Sequence, residues 1–189
     1  MQIILASQSP RRRELLAKLG LPFTVQAVRA DETMDPGLDP RQEVARVSRV
    51  KAMAAQAGPE DVVIAADTIV VCQGRILGKP RDKAQAADML AMLSGRDHQV
   101  MTGYTLRRGS QVITGTEVSH IFFRPLDPAE IRAYVETGEP MDKAGAYGIQ
   151  GMGALFIPRL EGDYYNVMGL PVCALAQQLR QLGVKILGV

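Results

Sequence analysis

The run "DVVIAAD", Asp61 to Asp67, constrains this chain more than any other stretch. A strand with one wet face alternates apolar and polar residues, whereas an unbroken apolar run belongs to a strand covered on both faces. Such a strand needs helical layers above and below it, and the rest of the chain supplies them. "QIILA", Gln2 to Ala6, reads as a second buried strand, followed by a helix with Ser9 as cap, Pro10 in its first turn, an apolar face of Leu15, Leu16 and Leu19, and a stop at Gly20. A strand at Phe23 to Gln26 precedes an acidic, proline-rich loop. A helix then spans Pro40 to Ala57, with Asp39 and Gln42 placed for a capping box. "TIVVCQGRIL" reads as strand, tight turn at Gln73 and Gly74, and return strand. A helix over Ala84 to Leu93, two β runs between Gln99 and Phe123, a helix capped by Asp127 and running through Val135, a strand at Ala154 to Leu160 and a closing helix carrying Val172, Leu175, Leu179 and Leu182 complete the pattern. The expectation is an α/β fold, a mixed sheet with flanking helices.

With 189 residues, 47% of them hydrophobic, the chain suits a single domain over residues 1–189. Its net charge of +2 argues against coating a nucleic acid polymer but leaves room for a local anion pocket. Cys72 and Cys173 lie far apart in apolar segments and read as two buried thiols in a reducing compartment. No stretch approaches the roughly 18 apolar residues of a membrane span, and the N-terminal residues lack the features of an export signal. A cytoplasmic protein without a membrane partner is expected.

Charge is placed unusually in "LASQSPRRRELL". Three arginines load the first turn of a helix, where backbone N–H groups favour an anion. Either they solvate a surface turn, or a phosphate arrives there as ligand, with Ser7 and Ser9 contacting it and Arg11 adding paired charged donors. Lys51 falls on the apolar stripe of its helix with Val44, Val47 and Ala54; it either snorkels from the core edge or enters a cleft. Lys79, in "GKPRD", sits in a turn that brings a second cation toward such a ligand or simply exposes it. Asp67, expected at the carboxyl end of its strand, either forms a salt bridge or serves a divalent metal. Thr68 follows it with a hydroxyl, and Asp31 with Glu32 forms a second acidic pair. Hard oxygen donors of this kind suit Mg²⁺ or Mn²⁺.

The segment "DKAGAYGIQGMG" has neither dinucleotide-fingerprint nor P-loop spacing. Its Gln150 amide both donates and accepts, which suits a uracil or thymine edge and equally suits stabilising its own loop. His98 and His120, in β segments without a ligand cluster, read as structural.

Taken in order, "LASQSPRRRELL", "ADTIVV", "GKPRD", "TGY", "DKAGAYGIQG" and "YYNVMGLP" resemble the Maf family of nucleoside triphosphate pyrophosphatases, in its dTTP/UTP branch. The resemblance implies a fold of the Maf and inosine-triphosphatase kind, homodimers, a divalent cation, and cleavage of dTTP and UTP to monophosphate and pyrophosphate, with removal of noncanonical pyrimidine nucleotides as an extension. By the same resemblance Asp67 stands where the family has its proton acceptor, and Arg11, Thr68 and Gln150 stand at substrate-selecting positions. Glu32, Lys51 and Lys79 match the groups lining the phosphate site. The 7-methyl-GTP branch carries a tryptophan after Ser-Pro and a DQ pair; here Arg11 and Thr68 stand at those places, and the chain has no tryptophan. A non-catalytic nucleotide sensor or septum-formation regulator, keeping the pocket without turnover, is the competing class.

Overall fold

The computed structural model describes residues 1–35 and 37–188; Pro36, in the acidic loop, and Val189 lie outside the described residues. Among the described residues, seven strands and six α-helices follow in chain order: β1 (Ile3–Leu5), α1 (Pro10–Ala17), β2 (Thr24–Val25), α2 (Pro40–Ala54), β3 (Val62–Cys72), β4 (Arg75–Leu77), α3 (Lys83–Leu93), β5 (Asp97–Arg108), β6 (Gln111–Phe122), α4 (Pro128–Glu136), β7 (Arg159–Glu161), α5 (Tyr164–Met168) and α6 (Val172–Gln181). The strands pair in the order β2-β1-β3-β5-β6-β7, with β4 also on β3. β1 runs parallel to β2 and β3, whereas β3 with β4 and β6 with β7 are antiparallel. The sheet is therefore mixed, as expected.

Helix starts follow their local chemistry. Ser9 Oγ accepts from the Arg12 N–H, Asp39 Oδ1 from Arg41 N–H and Asp82 Oδ1 from Gln85 N–H. Asp127 caps α4 in a full capping box, with the Glu130 carboxylate accepting the Asp127 N–H at 3.1 Å. Among the described residues the reciprocal bond expected from Gln42 is not made; Asp39 caps α2 alone. At the β3–β4 turn, Gln73 and Gly74 both have positive φ, 50° and 74°, the backbone shape a two-residue hairpin needs.

Four expectations need correction. β3 does not end at Asp67 but continues through Thr68 to Cys72, so Asp67 lies in mid-strand. The strand expected at Ala154 to Leu160 is a 3-10 turn over Met152–Phe156 followed by β7, because a distant carboxylate gathers the backbone N–H groups of its first turn. Cys173 is exposed on α6, while Cys72 is buried. α2 also stops at Ala54, short of Ala57, where Ala55 turns extended.

The chain divides into two compact units. The first gathers Met1–Asp67, Thr102–Glu117 and the segment from Gly169 on; Ile4, Ala6, Ala52, Ala55, Val63 and Ala65 form a buried cluster there, laying α2 against β1 and β3. Gly103 belongs to the same unit, and a Cβ on it would stand 2.2 Å from the Val44 carbonyl oxygen, so β5 and α2 meet backbone to backbone. The second unit holds Thr68–Met101 and Val118–Met168, with a core around Leu90, Leu93, Ile121, Phe123, Tyr134 and Phe156. Among the described residues no helix is long and apolar enough to cross a membrane.

Candidate active site

In the first unit, periodicity places Lys51 on the buried face of α2, and the structure shows why a cation is tolerated there. Lys51 is 8% exposed, and its Nζ donates to Asp67 Oδ1 at 2.7 Å and lies 3.0 Å from Glu32 Oε2. The ammonium does not snorkel; it joins a carboxylate from mid-β3 to one from the acidic loop. Asp67 is only half-buried and Glu32 is exposed, so both carboxylates keep a solvent-facing side.

The start of α1 belongs to the same unit. Ser7 Oγ accepts the Ser9 N–H at 3.2 Å, and Ser9 caps the helix, so both serines already shape the turn. Arg11 is half-buried there. Arg12, which the sequence does not single out, is held from far along the chain: its Nε donates to the Gly169 carbonyl at 2.8 Å. Burial depresses the Arg12 pKa, nearby Asp67 pulls it up, Arg11 pushes it down and Glu32 pulls it up. Arg12 thus stands in the field of both carboxylates that Lys51 joins.

The acidic loop is held in place by a pair the sequence reading also misses. Glu43, 1% exposed on α2, accepts the Asp35 N–H through Oε2 at 2.9 Å and is bound by Arg46 at 2.9 and 3.0 Å. Arg46 Nη2 in turn donates to the Thr33 carbonyl at 2.6 Å. The Arg46 guanidinium and the Asp35 N–H hold the Glu43 carboxyl below its ordinary range. The signal was available: Glu43, Val47 and Lys51 are spaced by four residues on one helical stripe, and a buried acid there is as unusual as a buried lysine.

Thr68, Lys79 and Gln150 fall in the second unit. Thr68 is half-buried on β3, and Lys79 is exposed beside Gly78, whose carbonyl accepts the Gly145 N–H at 3.1 Å. Gln150 is exposed, and its amide makes no hydrogen bond with the described residues. Loop stabilisation belongs instead to Glu139. Its Oε1 accepts from Tyr134 Oη at 2.8 Å and Gly153 N–H at 3.2 Å, and its Oε2 accepts from Met152 N–H at 2.9 Å. Burial would raise the Glu139 pKa, but the Met152 N–H, the Tyr134 hydroxyl and the Gly153 N–H outweigh it and lower it. His98 is buried against Tyr147, Nε2 to Oη at 2.8 Å, and His120 lies on β6, consistent with structural roles.

Among the described residues no cluster of three His, Cys, Asp or Glu side chains gathers as a ready metal cage. What Asp67 and Glu32 offer is two hard oxygen donors sharing one cation, a set that suits a divalent ion completed by water and phosphate oxygens.

Known proteins resemble this chain over nearly its whole length. A dTTP/UTP pyrophosphatase of Moorella thermoacetica is 52% identical over 191 residues, covering 99% of this chain and 98% of that protein. One from Symbiobacterium thermophilum is 50% identical, covering 98% and 96%, and one from Bacillus velezensis is 45% identical, covering 97% and 98%. The family model for Maf-like proteins matches residues 2–182, and the chain belongs to the Maf family.

Proposed function

We propose that this chain is a nucleoside triphosphate pyrophosphatase that hydrolyses dTTP and UTP to dTMP or UMP and pyrophosphate. The observation that carries the reading is the Lys51 ammonium shared by Asp67 and Glu32, a preassembled group of opposite charges with Arg12 in its field. The dTTP/UTP pyrophosphatases at about half identity support the choice of substrate.

In the reaction a water oxygen attacks the α-phosphorus, and the bond from that phosphorus to the oxygen bridging toward the β-phosphorus breaks. Asp67 accepts the proton that the water loses. Lys51 and Arg12 counter charge on the phosphates, joined by the N–H groups at the start of α1, where Ser7, Ser9 and Arg11 meet the chain of phosphates. Asp67 and Glu32 would hold Mg²⁺ or Mn²⁺, which supplies phosphate charge neutralisation and a more acidic water. Lys79 as a further phosphate cation, and Thr68 and Gln150 as selectors of the base, are assigned from their places in the family's motifs. Gln150 offers a donor and an acceptor to the edge shared by uracil and thymine, a pattern that cytosine changes. The family resemblance also supports a homodimer and action on noncanonical pyrimidine triphosphates.

Purified protein given UTP or dTTP with Mg²⁺ should release monophosphate and pyrophosphate one to one, read by phosphorus NMR. UDP with orthophosphate would overturn the bond assignment. Tight nucleotide binding without product, with Mg²⁺ or Mn²⁺, would favour a sensor, and preference for 7-methyl-GTP would move the chain to the other branch.

A further inference from the structure

We propose that Glu139 is a specificity-positioning residue: by fastening the segment from Gly148 to Gly153 it sets the pose of the Gln150 amide, and so the discrimination of uracil and thymine from cytosine. This rests on the reading of Gln150 as the base-selecting side chain.

The segment is tied at both ends by one pair of side chains. Tyr134 Oη accepts the Gly148 N–H at 3.1 Å and donates to Glu139 Oε1 at 2.8 Å. At the far end the same carboxylate takes the Met152 and Gly153 N–H groups at 2.9 and 3.2 Å. Only Ile149, Gln150 and Gly151 lie between these fastenings, closed by a Gly151 N–H to Gly148 carbonyl bond of 3.3 Å. Glu139 is itself held from both sides, its N–H donating to Thr137 Oγ1 at 3.1 Å and its carbonyl accepting from Lys143 Nζ at 2.7 Å.

The glycines record how closely the loop wraps this carboxylate. A Cβ at Gly151 would stand 2.3 Å from Glu139 Oε2, and one at Gly153 would stand 2.6 Å from the Gly148 carbonyl oxygen. The segment can close around Glu139 only without those side chains. What remains outward is Gln150, exposed and without a hydrogen bond to the described residues. An amide with no local partner has no fixed pose of its own, so its aim is inherited from the backbone that Glu139 holds.

The test compares kcat/KM for UTP and CTP in wild type, Q150A, E139A, E139Q and E139A/Q150A. The expected result is a UTP-to-CTP ratio reduced roughly tenfold in Q150A, a hydrogen bond's worth of discrimination. A similar reduction is expected in E139A, carried mainly by KM, with no further loss in the double variant. E139Q, keeping one acceptor oxygen, should fall between E139A and wild type. Y134F removes only the shared hydroxyl and should lower the ratio in the same direction, which keeps the test open if E139A does not fold. A ratio lowered by Q150A but untouched in E139A and Y134F, whatever their melting temperatures, would overturn the role of Glu139 while leaving Gln150 as reader. A ratio unchanged in Q150A would overturn the base reading and this inference with it.

Discussion

Lys51 Nζ lies 2.7 Å from Asp67 Oδ1 and 3.0 Å from Glu32 Oε2, so one ammonium holds together two carboxylates that would otherwise repel. Removing that cation and removing its main partner should therefore have different consequences. Lys51→Met should destabilise the fold on the order of 3 kcal/mol, the loss expected when a largely buried ion pair is broken from one side. Asp67→Asn leaves Lys51 with Glu32 and should stay folded while kcat falls by about a hundredfold or more, the share a general base supplies. The double variant should regain part of the stability lost in Lys51→Met and none of the activity. Calorimetry with a pyrophosphate-release assay checks this, and near-normal turnover in folded Asp67→Asn would remove Asp67 from the chemistry.

Arg12 should prove harder to replace by lysine than its charge alone suggests. Its Nε is committed to the Gly169 carbonyl, an anchor within a rigid planar fork that a lysine lacks. Arg12→Lys is expected to lower kcat/KM for UTP roughly tenfold, about one charged hydrogen bond. Steady-state kinetics give the answer, and equal activity of Arg12→Lys and wild type would show that only its charge matters.

Glu43 should act through Glu32. Glu43→Ala removes the acceptor of the Asp35 N–H and the carboxylate that orients Arg46, so the acidic loop loses one of its anchors on α2. The expected loss in kcat/KM is roughly tenfold, in the middle of the range for residues sharing one network, and it should shrink in a Glu32→Ala background. Additive losses in that double-mutant cycle would separate Glu43 from the loop.

Acid should weaken the fold through His98. Burial lowers its pKa from 6.5 to about 4, slightly opposed by Asp97, and its Nδ1 has no partner among the described residues. Between those values the unfolded chain binds a proton that the folded chain refuses, so stability is complete above pH 6.5 and falls as the pH drops toward 4. His98→Gln should show a smaller fall in melting temperature between pH 7 and pH 4.5 than wild type, measured by thermal denaturation; parallel curves would assign the acid sensitivity to other groups.

How far these features could be read in the sequence depended on whether their causes were local. Ser9, Asp39 and Asp127 cap helices with N–H groups two or three residues away, so those starts were legible. Lys51 was legible because it breaks an apolar stripe. The course of β3 was not, since an acid in mid-strand is tolerable only once a lysine from α2 reaches it, and no window around Asp67 contains that lysine. The turn at Met152–Phe156 was hidden for the same reason, its N–H groups answering to Glu139. The sequence favours Arg11 and passes over Arg12, because what holds Arg12 is a carbonyl 157 residues further along the chain.

The place of Asp67 within β3 has a cost for variation at this position. A carboxylate on a loop can be exchanged for a longer homologue, because the loop retreats to restore the position of the oxygens. Asp67 has no such slack: strand continues on both sides of it, with β3 paired to β1 at Val62–Ile64 before it and to β4 at Val70–Cys72 after it. Asp67→Glu would push the oxygens outward by about one carbon–carbon bond, ~1.5 Å, into the space already taken by Lys51. Position 67 is thus closed to gradual change, and new substrates would have to be reached by altering the loops while the strand keeps its aspartate.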